Sequence, residues 1–263
     1  MNAILSIAKT TIGEAIRRKV LLIILLIGVL FLVIAPGLNV LSARSSFAVL
    51  ISFTLGVIQL TGAVIAIVLT VYLIPNEIER RTIYTILCKP VHRWQFVLGK
   101  YFGAVGALGL MMLLMTGILL LVFKIMQPTA TLDVLGEIAR APVFYFVQMS
   151  ILAAVAMCFS VFASPIVNFF LTGGVFMVGT LFSPVFQDLA NNQNLAGGVK
   201  LAATAIHTIL PNFAQFNIQN PIINQGVTIQ SEQLYYVGLI GYAVMYIAGL
   251  LIGAILIFDR REV

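Results

Sequence analysis

The chain has 263 residues, of which 61% are hydrophobic and only 9% are charged, whereas an ordinary soluble domain carries about 25% charged residues. So few charges cannot cover the surface of a water-soluble fold of this size, which leaves a polytopic membrane protein. The net charge of +6 follows from that topology and an anionic inner leaflet, and nucleic-acid binding is not needed to explain it.

Uncharged runs occupy Val20–Ala43, Ser45–Asn76, Tyr101–Phe123, Ala141–Gln187 and Gln233–Phe258. A helix crosses ~30 Å of hydrocarbon with ~20 apolar residues at 1.5 Å per residue. The run from Ala141 to Gln187 is more than twice that length, so it must fold back. Ser164-Pro165 marks the break, because proline lacks the N–H that would continue a helix.

Taken in order, residues 2–19 form an amphipathic elbow helix in the cytoplasmic interface. Leu5, Ala8, Ile12, Ala15 and Ile16 share one face, and Lys9, Glu14, Arg17 and Arg18 lie largely on the other. This basic stretch is too long for a cleaved signal peptide, so the first span is expected to stay. Six spans follow, at about 20–41, 47–74, 96–123, 143–163, 166–186 and 234–258. The whole reads as one all-α transmembrane domain over 1–263. The second span is long enough to require tilt or a protruding end. The external connection from Gln127 to Arg140 reads as a modest loop.

The external segment 188–232 is ambiguous. Val199–Leu210 is too short to cross, it stops at Pro211-Asn212, and the Asn and Gln residues after it would be unsatisfied in lipid. It reads as a re-entrant or interfacial helix followed by a loop. With both termini cytoplasmic, Lys9, Arg17, Arg18, Lys19, Arg80, Arg81, Lys89, Arg93, Lys100, Arg260 and Arg261 lie inside. Only Arg44, Lys124, Arg140 and Lys200 lie outside, as the positive-inside rule asks.

Signatures of catalysis are missing. No HExxH, GxSxG or glycine-rich phosphate loop occurs, so the chain is read as a non-enzyme without its own ATPase motif. His92 and His207 fall on opposite sides, and Cys88 and Cys158 are too far apart to pair. No metal site is expected: Met111, Met112 and Met115, which could suggest a soft-metal path, read as core filler at helical spacing. Gly99-x3-Gly103 and Gly249-x3-Gly253 permit close helix approach. The spans also lack the Asp, Glu or His with which ion-coupled carriers bind or relay their driving ion, apart from Lys100 near a cytoplasmic end. Energy for transport would therefore enter from outside the bilayer.

The natural port is the charged segment 75–95 between spans two and three. Glu77–Cys88 forms a short amphipathic helix with Ile78, Thr82, Ile83, Ile86 and Leu87 toward the membrane. Pro90 stops it, and Arg93-Trp94 leads into the third span with an aromatic anchor. A mere positive-inside loop accounts for the basic residues here but not for two glutamates.

The run Glu77-Ile78-Glu79-Arg80-Arg81-Thr82, then Ile86-Leu87-Cys88-Lys89-Pro90-Val91-His92-Arg93 and Leu98-Gly99-Lys100, resembles the coupling loop of type 2 ABC transporter permeases. The likeness covers nearly the whole chain, including Leu210-Pro211-Asn212 before the last span. It looks closest to the subgroup that includes the permease of the nitrous-oxide reductase maturation system, and it departs at Arg81, where many members have glycine. The resemblance implies a cytoplasmic coupling helix at Glu77–Cys88, seated in an ABC ATP-binding subunit present in two copies. A second permease chain would complete a homo- or heterodimer in a bacterial-type cytoplasmic (inner) membrane, most simply as an exporter. ATP and Mg would sit on the partner subunit, with no cofactor bound by this chain. Implied coupling residues are Glu77, Glu79, Arg80, Arg81, Thr82, Pro90 and Arg93. Gln59, Asn168 and Thr172 are candidate translocation-pathway residues, because the second and fifth spans approach the dimer axis in that family. Two alternatives differ in class: a self-contained channel or secondary carrier, and a membrane scaffold docking a cytosolic protein.

Overall fold

The computed structural model describes residues 2–40, 46–75, 92–129, 131–182, 210–217 and 232–260, together with Val185, Leu189 and Thr204. Every described element is helical. Helix α1 is Asn2–Arg17 and α2 is Lys19–Ile34, prolonged by a 3-10 segment, Ala35–Val40. Next come α3, Ser46–Val71, and α4, Arg93–Met126. Helix α5 is Leu132–Ser160, and α6 is Pro165–Met177, which runs into a π-helical turn at Val178–Phe182. A short 3-10 turn at Phe213–Phe216 precedes α7, Glu232–Arg260. Among the described residues, six helices, α2 to α7, are long and apolar enough to cross a membrane.

The boundaries follow local chemistry. Arg18 is extended, with φ −73° and ψ 111°, and this single residue separates α1 from α2. His92 caps α4 through a capping box with Gln95, whose side-chain oxygen accepts the His92 backbone N–H at 3.2 Å. The fold-back occurs at Ser164-Pro165: Ser164 is the extended N-cap of α6 and Pro165 occupies its first turn, where a missing N–H costs nothing.

Two helices differ in extent from the expectation. Helix α5 starts at Leu132, so much of the supposed loop before Arg140 is helix, with Asp133 favourably placed in its first turn. Pro142 lies inside α5 instead of preceding it; transmembrane helices tolerate proline where neighbours re-satisfy the freed backbone groups. Helix α4 likewise extends past both ends of the expected span. Charge marks where the hydrocarbon ends, and a helix is free to continue beyond it.

Helices α3 and α5 form the centre of the bundle. In an 18-residue apolar stretch of each helix, 72% of residues are buried in α3 and in α5, against 17% in α6 and in α7. The outer helices turn large apolar side chains outward, including Leu26, Leu113, Phe170 and Met245. That is the pattern of a protein solvated by lipid.

Helix α1 packs chiefly on α4, and glycines make that contact close. A Cβ on Gly99 would lie 2.8 Å from Ile7 Cβ, one on Gly103 2.5 Å from Thr11 Cβ, and one on Gly106 3.0 Å from Ile12 Cδ1. The packed face of α1 therefore centres on Ile7, Thr11, Ile12 and Ala15, while Leu5 and Ile16 point outward. This corrects the face expected from periodicity, which grouped Leu5 and Ile16 with Ala8, Ile12 and Ala15. Both directions are apolar, so periodicity could not separate protein from lipid.

Candidate functional site

The first feature is a pair of polar clusters that interrupt the apolar bundle. In the first, Gln59 on α3 donates its amide to Gln148 Oε1 on α5 at 3.1 Å. Gln148 is fully buried, and its own Nε2 has no partner in the described structure. In the second, Asn168 Nδ2 on α6 donates to the Ala156 carbonyl on α5 at 2.9 Å, and the Thr172 hydroxyl donates to Asn168 Oδ1 at 2.8 Å. Both residues are fully buried within the single chain. Their side-chain polar groups are used in tying α6 to α5 across the fold-back turn, whereas Gln59 keeps partial exposure.

Interhelical hydrogen bonds in membranes contribute about 0.6 kcal/mol on average and up to about 1.7. Asn168→Leu removes the bond to Ala156 and strands the Thr172 hydroxyl, so it is expected to destabilise the detergent-solubilised protein by about 1 kcal/mol. A melting curve beside that of Thr172→Val checks this. Equal stability of Asn168→Leu and wild type would show that the bond holds nothing.

The second feature closes the end of the bundle where α4 begins and α7 ends. Arg93 Nη1 donates to the carbonyls of Phe258 and Asp259, each at 3.2 Å, and so binds the last carbonyls of α7. The Arg93 guanidinium lies 6.0 Å from the Phe258 ring centroid, and Phe96 stacks on Phe258 at 6.3 Å. Nearby, Lys100 is 5% exposed and pairs with Glu14 of α1 at 3.7 Å. Arg93 and Lys100 thus bind the start of α4 to both α7 and α1. Of the residues expected to couple to an ATPase, Arg93 alone falls in this cluster; Glu77, Glu79, Arg80, Arg81, Thr82 and Pro90 lie outside the described residues.

The third feature is at the opposite end. The segment 211–217 enters between α5, α6 and α7, with Phe213 and Phe216 completely buried. The Asn212 N–H donates to Tyr242 Oη at 3.1 Å, Tyr235 Oη donates to the Gln215 carbonyl at 2.7 Å, and Tyr145 Oη lies 3.4 Å from Asn217 Oδ1. Phe213 packs on Phe176 and Phe216 on Tyr242. Tyr242 lies about 15 Å along α7 from its first residue at 1.5 Å per residue. Irregular backbone this deep is tolerated only when protein shields it or a wet cavity lines it. Here it is buried against α6, where Gly179 in the π-helical turn allows the approach: a Cβ there would sit 2.6 Å from the Pro211 carbonyl oxygen.

Gly179→Ala is therefore expected to push the 211–217 segment out of the bundle, and overpacking of this kind costs about 1–3 kcal/mol. A cysteine introduced at Phe213 should label with a membrane-impermeant maleimide several times faster in the Gly179→Ala background, a change of the order that 1 kcal/mol of opening permits. Unchanged labelling would show that the contact is not what holds the segment.

Sequence reasoning noted Leu210-Pro211-Asn212 but missed Phe213, Phe216 and Gly179, whose only signal is an aromatic pair in a stretch rich in Asn and Gln. Met111, Met112 and Met115 are buried and fill space, Met115 Cε closing on Gly28 and Met112 on Gly62. No cluster of three or more metal-ligating His, Cys, Asp or Glu exists among the described residues. Gly249 and Gly253 have no neighbour within 4 Å of their Cβ positions among the described residues, unlike Gly99 and Gly103 of α4.

An all-helical bundle with six spans, lipid-facing outer helices and short helices at both ends defines a multi-pass α-helical membrane protein. Compared with family models, residues 5–263 match the ABC-2 family of transporter proteins, and the chain belongs to that family. It is thus a membrane-spanning permease component of an ABC transporter, of the kind that works with a separate ATP-binding subunit. No curated protein matches the sequence.

Proposed function

We propose that this chain is the permease subunit of an ATP-driven exporter, in which the charged segment 75–95 receives the stroke of a separate ATPase and passes it to the bundle. The observation that carries this reading is the fastening of α4 directly downstream of that segment. Arg93 holds α7, and Lys100 with the Gly99, Gly103 and Gly106 groove holds α1. A displacement at the start of α4 would move α1 and α7 with it, because packed elements shift as rigid bodies between discrete arrangements.

Two such permeases and two ATPase subunits would make the working unit in a bacterial inner membrane, with both termini cytoplasmic. ATP and its Mg²⁺ belong to the partner subunits. Helix α1 serves as the elbow, and Glu77 and Glu79 serve as the polar contacts to the ATPase. The likeness to the subgroup of the nitrous-oxide reductase maturation permease supports an export role, and an uncharged path suits an amphipathic or lipid-like substrate. A self-contained carrier is less well supported, since Lys100 is the one charged residue among the described buried residues and it is engaged by Glu14.

Affinity purification from the native membrane tests the reading. It should bring down an ATP-binding subunit with a phosphate loop, and vesicles holding both proteins should hydrolyse ATP faster than the subunit alone. Transport by the purified permease without any ATPase would overturn it.

A further inference from the structure

Helices α4, α5 and α7 enclose an apolar crevice of about 570 Å³. Tyr101 and Val105 form one wall, Ile247 and Leu251 the other, and Val147 and Ser150 of α5 the floor. The crevice exists because α4 and α7 touch firmly at one end, through Arg93, Phe96 and Phe258, while small residues of α7 (Ala243 and Ala248) leave space further along. Its flank lies among outward-facing apolar side chains, with Phe102 53% and Ile252 59% exposed, so it opens sideways into hydrocarbon.

We infer that this crevice is a binding site for one acyl chain of a membrane phospholipid, held between α4 and α7 against α5. Three observations point to hydrocarbon as the occupant. Among the described lining residues the only polar side chains are Tyr101 and Ser150, and both already donate: Tyr101 Oη to the Ser150 carbonyl at 3.0 Å, and Ser150 Oγ to the Phe146 carbonyl at 2.8 Å. Both hydroxyl protons are used, so a water would find no donor in the lining and only those two hydroxyl oxygens as acceptors, whereas water makes two to four bonds. An empty crevice would forfeit the dispersion contacts of its whole lining. The size also fits: at roughly 30 Å³ per water-sized group, the volume holds a chain of roughly twenty carbons, the scale of one phospholipid tail. The Arg93–Phe258 closure caps the end at which Trp94, an interfacial residue type, is exposed. The tail would therefore enter from the side and run along the groove away from that end.

The inference needs only that the bundle sits in a membrane, and it stands apart from any ATPase partner. The test reconstitutes the full chain in nanodiscs with a phospholipid carrying a photoactivatable diazirine midway along one tail. After irradiation, adducts are mapped by mass spectrometry. The expected result is labelling of Val147 and Ser150, which α4 and α7 shield from the surrounding lipid, in addition to the exposed face of α2 at Leu22 and Leu26. Ala248→Phe, which fills the crevice from an exposed position, should remove the α5 adducts and leave those on α2. Met245→Phe, on the lipid-facing side of the same helix and outside the crevice, should change neither. Labelling confined to outward faces in the wild-type chain would overturn the inference. So would crosslinking of the crevice to a second copy of the chain in place of lipid, or α5 adducts that survive Ala248→Phe.

Discussion

Charge reversal at Glu77 together with Glu79 is expected to leave the protein inserted and correctly folded while lowering permease-dependent ATP hydrolysis at least about tenfold. Removing one partner of a desolvated charge pair at an interface costs about 2–5 kcal/mol, and about 1.4 kcal/mol is already tenfold in affinity. The two glutamates stand in a segment whose remaining charges are basic, so reversal also turns attraction into like-charge repulsion toward the same partner surface. Insertion depends on the apolar runs, which the change does not touch. The measurement is ATPase activity of the reconstituted complex, with membrane yield and thermal stability of the permease as controls. Normal coupled hydrolysis in the double variant would remove these residues from the interface. Arg81→Gly, which restores the residue more usual in the resembling family, is expected to preserve coupling in the same assay.

Gly103→Leu is expected to detach α1 from α4. Even a Cβ at this position would lie 2.5 Å from Thr11 Cβ and 2.8 Å from the Ala8 carbonyl oxygen. A backbone carbonyl cannot swing aside as a flexible side chain can, so the helix must lift. Overpacking costs about 1–3 kcal/mol, and the buried Lys100 would lose Glu14 as the helices part. The expected readouts are a lower melting temperature in detergent and new tryptic cleavage after Arg17 or Arg18, which bound the hinge between α1 and α2. Gly117→Leu, on the same helix with no described residue within 4 Å of its Cβ position, should behave as wild type. If the Gly103 variant melts with wild type and resists trypsin, the groove does not seat α1. A coupling role for α1 would then fail with it.

Much of the bundle was legible before any coordinates. Six crossings follow from the lengths of the uncharged runs, because the hydrocarbon thickness is a fixed ruler. The fold-back at Ser164-Pro165 follows from proline's missing donor. The close approach at Gly99 and Gly103 follows from small-residue spacing, yet identical spacing at Gly249 and Gly253 meets no neighbour among the described residues. Spacing reports what a helix permits and is silent about which helix arrives. The same holds for Asn168 and Thr172. They read as candidate pathway residues because of the span that carries them, and in the structure they bond to each other and to the Ala156 carbonyl.

By itself, the sequence determined that this protein lives in a membrane, which stretches are long and apolar enough to cross it, and where charge gathers between them. Those properties depend on local composition, because desolvation of charge and backbone is decided residue by residue. Only the tertiary structure decided which face of α1 meets protein, that Arg93 and Lys100 fasten α4 to α7 and α1, and that Phe213 and Phe216 draw an irregular segment into the bundle. In lipid, an apolar side chain gains little transfer energy by choosing protein over solvent. Helix partners are therefore selected by shape and by a few hydrogen bonds between residues far apart in the chain, and neither can be read from the order of residues.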